Sequence, residues 1–272
     1  MSNNGLHLSI VPQDLMNQYL LGFDDSNQAQ FETLVDSPLS KDSFSFYTSV
    51  SAVFSSKIEG EDIELDSFIK HKRLGVNYQP DYTRKTDDLY AAYAFAHQNR
   101  LNRSNLDRAH LQLTSHILHP SKQGKIRSGN MFVITPDGKI DYVAATPESV
   151  GDEMKKFYHD LKLLLSSQLS FSEVFYFASM LHLVLVKIHP YEDGNGRISR
   201  LLEKWFLAEK LGSKAWFIQS ERNYYQNHSQ YYHNIRLLGM EYDHLDYSKA
   251  LPFLNMLPNS LIGFDVRINQ KR

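Results

Sequence analysis

Apolar residues recur at helical spacing along most of this chain. The helix predicted over residues 42–60 ends at Gly60 and has the following apolar positions: Phe46, Tyr47, Val50, Val53, Phe54 and Ile58. The same spacing predicts helices over 86–99 and 104–118. Residues 1–40 are more polar and contain turn signals, which predicts an extended arm with short helices.

One short stretch departs from this helical pattern. The runs MFVIT and KIDYV are rich in residues favoured in strands, and Pro-Asp-Gly between them is typical of a hairpin turn. We therefore predict an all-α protein with one small β-hairpin over about residues 131–143.

Two strongly apolar helices flank a short polar loop in the second half of the chain. Ser170 and Glu173 fit a capping box at the start of the first helix, which is apolar on nearly every side and is predicted to lie in the core. A proline ends this helix, and the second helix begins near Gly196 and ends at Gly212. The loop HPYEDGNGRISR, residues 189–200, thus joins two core helices.

Composition narrows the classes of function. Lys and Arg number 29 and Asp and Glu 31, a formal net charge of −2, so no overall field attracts nucleic acid or an anionic membrane. The absence of cysteine excludes disulfides and thiolate metal sites and is typical of a reducing compartment. The N-terminus lacks secretory-signal features, and the longest apolar run is too short and interrupted to span a bilayer. We predict a soluble, cytoplasmic protein that binds neither nucleic acid nor membrane.

The polar loop has the chemistry of an anion site. Residues 193–196 lead into a helix N-terminus, where free N–H groups and the helix dipole favour negative charge. Arg197 and Arg200 in the first turns of that helix need a counter-charge, which a polyphosphate would supply. Asp193 could then bind a Mg²⁺ ion that bridges phosphate oxygens. His189 has the pKa range of a general base.

The loop resembles the signature of the Fic family, H-P-F-x-D/E-G-N-G-R-x-x-R, and departs from it at Tyr191. The resemblance extends to SSKIEG, to the G-x-x-R segment at residues 124–127, to TPESV and to the tyrosine pair at 231–232. It implies a Fic-type helical bundle with an N-terminal helical region, 1–100, and a catalytic core, 101–272. It also implies an adenylyltransferase that moves AMP from ATP to a Ser, Thr or Tyr hydroxyl of a target protein and releases pyrophosphate.

The resemblance assigns roles within the loop. His189 would deprotonate the target hydroxyl, and Asp193 would hold Mg²⁺ against the α- and β-phosphates. Gly194, Asn195 and Gly196 would cradle the phosphates, with Asn195 reaching the α-phosphate. This division is physically reasonable, because phosphoryl-type transfer depends chiefly on positioning and charge neutralisation.

The resemblance also implies a built-in inhibitor. Arg197 would contact the β-phosphate and Arg200 the γ-phosphate, while residues 55–60 match the family's inhibitory motif, S/T-x-x-x-E-G/N. Glu59 stands at a helix C-terminus, where a carboxylate opposes the dipole, as Arg200 does at a helix N-terminus. A pair between these two residues would correct both positions and occupy the arginine that the γ-phosphate needs.

The remaining residues implied by the resemblance border the nucleotide. The predicted hairpin is similar to the family's flap, which aligns a target segment by strand addition, and it would place Val133 and Ile134 beside the site. Tyr231 and Tyr232 resemble residues near the adenine. The variable position, Glu192, is predicted to be exposed and not catalytic.

Several alternatives stay open on sequence alone. The motif does not read the base, so transfer of another nucleotide is one alternative, and an enzyme that also removes AMP is a second. A non-catalytic nucleotide-sensing module is a third, although a sensor has no use for His189. Self-modification and homo-oligomerisation are not decided by any pattern in the chain.

Overall fold

The computed structural model describes residues 6–41, 45–134 and 138–261. Within these ranges the fold is a helical bundle with one two-stranded sheet. Its helices are α1 (Met16–Gly22), α2 (Ser26–Glu32), α3 (Phe46–Ile58), α4 (Leu65–Leu74), α5 (Pro80–Gln98), α6 (Arg103–Leu113), α7 (Val150–Ser166), α8 (Phe171–Ile188), α9 (Asn195–Leu211), α10 (Ser220–Gln226), α11 (His228–Arg236) and α12 (Leu251–Leu254). Its strands are β1 (Phe132–Ile134) and β2 (Ile140–Val143). The predicted all-α class with a single hairpin is confirmed.

Helices α8 and α9 form the centre of the bundle. The capping box at the start of α8 is present, since Ser170 Oγ accepts the N–H of Glu173 and the Glu173 side chain accepts the N–H of Ser170. Helix α9 is followed by Gly212 at a φ of 85°, a conformation that favours glycine. Trp205 of α9 is fully buried. These two helices therefore provide a rigid support for the loop between them.

The prediction that no apolar run is long enough for a membrane span was wrong for α8. Among the described helices, α8 reaches that length and composition, with 18 residues. However, 78% of it is buried inside the protein. Its apolar character is therefore explained by its place in the core.

The N-terminal arm is docked on the bundle. Tyr19 of α1 packs edge-on against Tyr176 of α8 at 5.3 Å between ring centroids, and Phe31 of α2 lies 5.5 Å from Phe171. The buried carboxylate of Asp160 accepts backbone N–H groups from three consecutive residues of the arm, 9–11. The short helices predicted for the arm are confirmed, and aromatic packing together with this carboxylate attaches them to the core.

Helix α3 matches the helix predicted over 42–60, of which residues 42–44 lie outside the described ranges. Ser45 caps its N-terminus by accepting the N–H of Thr48. Glu59 is its C-cap, and Gly60 follows with a φ of 87°. Most α3 residues are buried against α5 and α10, so this helix is enclosed by the bundle and not only attached along one face.

Two other predicted helix boundaries were wrong. The helix predicted over 86–99 begins at Pro80, because proline at the first helical position lacks only an N–H that would be unpaired there. The helix predicted over 104–118 ends at Leu113. Thr114 turns its hydroxyl back to the carbonyl of His110, and the Gln123 amide donates to carbonyls of the following turns. These side chains satisfy carbonyl groups that a continuing helix would have paired.

The hairpin pairs β1 and β2 in antiparallel register, with Val133 opposite Tyr142 and an irregularity before Ile134. Residues 135–137 of the predicted hairpin lie outside the described ranges. Strand β2 is joined to the segment after α11, since the N–H of Val143 donates to the carbonyl of Met240 at 2.8 Å. The division of the chain at residue 100 stays a prediction.

Candidate active site

A cavity of about 1240 Å³ lies where the loop between α8 and α9 meets the end of α3, the hairpin and α11. Most of the predicted site residues line it: Glu59, Val133, Ile134, His189, Asp193, Gly196, Arg200, Tyr231 and Tyr232. Gly194, Asn195 and Arg197 are not among its lining residues. The fold thus brings two distant sequence motifs, the end of α3 and the 189–200 loop, to one cavity.

His189 ends α8 in a left-handed conformation, with φ 53° and ψ 58°. It is the only non-glycine residue with positive φ in the described part of the chain. Its Nδ1 lies 3.1 Å from the carbonyl of Val186, which places the imidazole proton on Nδ1 and makes Nε2 the acceptor. Burial lowers the pKa of His189 below its ordinary value. The strained backbone therefore directs an uncharged imidazole with a basic nitrogen into the cavity.

Arg127 fixes the backbone around His189. Its Nε donates to the carbonyl of His189 at 2.8 Å, and its Nη2 donates to the carbonyl of Ala145 at 2.5 Å. Its backbone N–H donates to the carbonyl of Pro190 at 2.9 Å. In the sequence this residue stands out only as part of a G-x-x-R segment. The structure identifies it as the side chain that holds the strained turn.

His110 of α6 supports the loop from below. Its ring is stacked on Tyr191 at 3.6 Å between centroids, and its Nδ1 accepts the N–H of Gly124 at 2.9 Å. Its Nε2 therefore carries the proton and donates to the carbonyl of Asp193 at 2.9 Å. Burial lowers the pKa of His110 to about 4. A Cβ on Gly194, where φ is 82°, would lie 2.9 Å from side chains of this region, so glycine is required there.

Asp193 stands at the mouth of the cavity with its carboxylate about half exposed. Its Oδ1 accepts the N–H of Gly194 at 2.5 Å and the Nη2 of Arg197 at 3.2 Å. The Nε of Arg197 is buried and has no hydrogen-bond partner among the described residues. This arginine thus lies beside the anion site with an unsatisfied donor.

The side chain of Asn195 is hydrogen-bonded within the loop. Its Oδ1 accepts the N–H of Tyr191 at 2.9 Å, and its Nδ2 donates to the Tyr191 carbonyl at 2.9 Å. These two bonds tie the side chain to the backbone of the loop, and its contact with an α-phosphate stays a prediction. Asn195 lies in the first turn of α9, where backbone N–H groups have no intrahelical partner and can bind an anion.

Glu59 and Arg200 form the predicted ion pair, with 2.5 Å between Oε1 and Nη2. Arg200 is 1% exposed and Glu59 24%. Burial opposes ionisation of Glu59, but the charges of Arg200 and Arg197 outweigh it and keep the pKa of Glu59 below its ordinary value. The pair is flanked by Gly196, where a Cβ would lie 3.1 Å from Arg200 Nη1 and closer still to Glu59. Both residues are therefore charged and in contact at the base of the cavity.

The two tyrosines predicted near the adenine differ in position. Tyr231 is 1% exposed and its hydroxyl contacts Arg200 and His182, so its polar end does not face a base. Tyr232 is half-buried on the cavity wall, and its hydroxyl lies 3.4 Å from the carbonyl of Ile58. The adenine prediction therefore fits the placement of Tyr232 better than that of Tyr231.

Two further charged residues, Lys187 and Glu192, lie near the loop. Lys187 lines the cavity, was missed by sequence analysis, and has its Nζ 4.1 Å from the centre of the Tyr142 ring. Burial lowers the pKa of Lys187 to about 8. Glu192 was predicted to be exposed, but it is half-buried and forms an ion pair with Lys122.

Comparison with known proteins shows that the residues of this site are similar to one family. The Fic/DOC family profile matches residues 100–207, which include the loop and the two residues that support it, His110 and Arg127. The matched residues include His189, Asp193 and Arg200, whereas Glu59 lies outside the matched range.

Curated relatives carry the name protein adenylyltransferase Fic. The protein of Nematostella vectensis is 34% identical over 117 residues, 42% of this chain and 25% of its own length. The protein of Drosophila mojavensis is 30% identical over 128 residues, 47% of this chain and 22% of its own length. The aligned region thus spans about a quarter of each relative.

Solved structures share the fold at lower sequence identity. A Fic family protein from Desulfovibrio desulfuricans superposes with a TM-score of 0.64 at 20% identity, over 79% of this chain and 62% of that one. A Fic domain containing signaling protein from Bacteroides thetaiotaomicron superposes with a TM-score of 0.62 at 19% identity, over 93% of both chains. The second likeness covers the N-terminal helices as well as the matched domain.

Proposed function

We propose that this protein is an adenylyltransferase that transfers AMP from ATP to a hydroxyl group of a protein, and that Glu59 inhibits it. One observation carries the proposal: the basic Nε2 of His189, the first turn of α9 and the guanidinium of Arg200 share one cavity. A general base, an anion-binding helix end and a cation are the groups that this transfer requires. The names of the curated relatives support the same activity.

This placement supports the following reaction. His189 Nε2 accepts the proton of the attacking hydroxyl, whose oxygen forms a bond to the α-phosphorus of ATP. The bond between the α-phosphorus and the bridging oxygen to the β-phosphate breaks, and pyrophosphate leaves. The N–H groups at the start of α9 and the two arginines neutralise the phosphate charges. Arg127 keeps His189 in place during this step because it holds the carbonyl of that residue.

A magnesium ion fits the donor set at Asp193. The described residues contain no group of three or more His, Asp or Glu side chains placed to hold a metal, so a metal here would take most of its ligands from phosphate and water. Within the described part of the chain, both contacts of the Asp193 carboxylate are made by Oδ1, which leaves Oδ2 for a ligand. When bound, the ion would neutralise charge on the triphosphate.

Glu59 acts as the inhibitor in this proposal because it occupies Arg200. The carboxylate is paired with the guanidinium that we propose for the γ-phosphate, and this guanidinium is buried. A triphosphate that cannot pair with Arg200 would bind with its α-phosphorus away from the attacking oxygen. Removal of the carboxylate should therefore raise the rate of transfer.

The hairpin is proposed to align the target. Val133 and Ile134 line the cavity, and strand β1 pairs with β2 on one edge only, since the two strands make up the whole sheet of the described residues. The free edge of β1 could pair with an extended target segment through backbone hydrogen bonds. A Ser, Thr or Tyr of that segment would then lie beside His189.

Intact mass spectrometry tests the proposal. Three proteins are incubated with ATP and Mg²⁺: the wild type, Glu59→Gly, and Glu59→Gly with His189→Ala. We expect added adenylyl groups on Glu59→Gly only, and parallel reactions with UTP and GTP report the base preference. If none of the proteins gains mass and added protein targets are also unmodified, while ATP still binds, the site is a nucleotide sensor and the enzymatic proposal is wrong.

A further inference from the structure

The guanidinium of Arg200 is held from two sides. On one side, Ser55 accepts from Nε at 2.8 Å through its hydroxyl and from Nη2 at 3.2 Å through its carbonyl, and Glu59 accepts from Nη2. On the other side, Nη1 lies 3.3 Å from the hydroxyl oxygen of Tyr231 on α11. Within the described ranges, Tyr231 is the hydrogen-bond partner of this guanidinium that does not belong to α3 or its cap. This contact therefore does not depend on the position of α3.

Tyr231 is itself the end of a buried chain of hydrogen bonds. Its hydroxyl lies 3.0 Å from Nε2 of His182, and Nδ1 of His182 lies 2.8 Å from Oε2 of Glu203. The side chains of His182 and Glu203 are completely buried. The hydroxyl of Tyr224 donates to the same carboxylate oxygen at 2.8 Å. Helices α8, α9, α10 and α11 thus each contribute one member of this cluster.

The direction of each hydrogen bond in this network is determined by which groups can accept a proton. Arg200 can only donate, so the proton of the Tyr231 hydroxyl must go to Nε2 of His182, its other partner. Nε2 is then an acceptor, and the proton of His182 is on Nδ1, where the Glu203 carboxylate accepts it. A lone pair of the Tyr231 oxygen therefore points at Arg200. No other order gives an acceptor to each donor of Arg200, Tyr231 and His182 in this network; Oε1 of Glu203 has no hydrogen-bond partner among the described residues.

We propose that Tyr231 is a positioning residue for Arg200, and that His182 and Glu203 fix the direction in which its hydroxyl accepts. In this arrangement Tyr231 keeps the guanidinium aimed at the triphosphate after Glu59 has left. The inference rests on the proposed function, in which Arg200 receives the γ-phosphate of ATP. It assigns to Tyr231 a role in triphosphate selection in place of the predicted contact with the adenine.

The test compares the affinities for ATP and for ADP, because only ATP has the γ-phosphate. All variants carry Glu59→Gly, and Kd values with Mg²⁺ are measured by isothermal titration calorimetry. Tyr231→Phe keeps the ring and removes the hydroxyl, and we expect it to reduce the preference for ATP over ADP about tenfold. The matched control is Tyr224→Phe, which removes an equally buried hydroxyl that donates to Glu203 and does not contact Arg200. It should leave the preference unchanged.

Two further variants separate the explanations. His182→Gln can still accept from Tyr231 and donate to Glu203, so it should retain more of the preference for ATP than His182→Leu. Thermal unfolding of every variant shows whether it is folded. Equal losses of ATP and ADP affinity in Tyr231→Phe, or equal changes of preference in Tyr231→Phe and Tyr224→Phe, would overturn the inference. If Arg200→Ala leaves the preference intact, the γ-phosphate role of Arg200 is itself wrong, and the inference falls with it.

Discussion

Protonation of His110 is expected to destabilise the fold at mildly acidic pH. The imidazole is fully buried, and its Nδ1 accepts the N–H of Gly124 while its Nε2 donates to the carbonyl of Asp193. A second proton on Nδ1 would remove the acceptor for Gly124 and place a charge in a buried site, where the nearby Asp193 carboxylate offsets the cost of burial only in part. Burial accordingly lowers the pKa of His110 to about 4. This histidine holds the turn that carries Asp193, so its titration affects the site as well as the fold.

The sign and size of the effect follow from the two pKa values. Unfolded His110 binds a proton below a pKa of about 6.5, whereas the folded protein does so only near 4. Between these values the unfolded state binds more protons, so the free energy of unfolding falls as the pH is lowered. At pH 5 the loss relative to neutral pH is about 2 kcal/mol. Burial also lowers the pKa of His189, which adds to the loss in the same direction.

Urea denaturation at pH 7.5 and at pH 5 measures this loss. The comparison protein is His110→Phe, which keeps an aromatic ring against Tyr191 and removes the titrating group. We expect His110→Phe to be less stable than the wild type at pH 7.5, because two hydrogen bonds are gone. Its further loss at pH 5 should be smaller than that of the wild type by about 2 kcal/mol. An equal loss in the two proteins would refute the reasoning about His110.

Three further predictions concern residues that hold the site and the arm. Arg127→Ala removes the donor to the carbonyl of His189 and should lower adenylyl transfer at least about tenfold in the uninhibited background, measured by initial rates; an unchanged rate would contradict its role. Gly194→Ala should lower the free energy of unfolding by about 2 kcal/mol more than Gly75→Ala, because both have positive φ but only Gly194 lacks space for a Cβ; equal effects in urea denaturation would show that the contact is unimportant. Asp160→Asn replaces an acceptor of three arm N–H groups and should speed proteolysis of the residues before α1 with little effect on the core; an unchanged cleavage rate would show that other contacts hold the arm.

Part of this structure could be predicted because the signals are local. The capping box of α8, the glycine after α9 and the apolar positions of both helices specify their boundaries within a few residues. The pair between Glu59 and Arg200 could also be predicted, since each charge stands at the unfavourable end of its helix and each lacks a local partner.

Other features depend on residues that are far apart in the sequence. His110 meets Asp193 across 83 positions and Arg127 meets His189 across 62, so no local spacing could indicate that they support the loop. The side chain of Asn195 was assigned to a phosphate from the motif, but four residues away the backbone of Tyr191 offers both a donor and an acceptor. Tyr231 was placed beside the adenine, although its partners on α8 and α9 draw its hydroxyl into the core.

The most direct test of the proposed transfer uses ATP labelled at a single phosphate. Glu59→Gly protein is mixed with Mg²⁺ and a cell extract, and protein-bound label is compared for ATP carrying ³²P at the α- or the γ-phosphate. The account predicts label from the α-phosphate alone, and none when His189→Ala is added. Label from the γ-phosphate, or α-label that persists without His189, would contradict it.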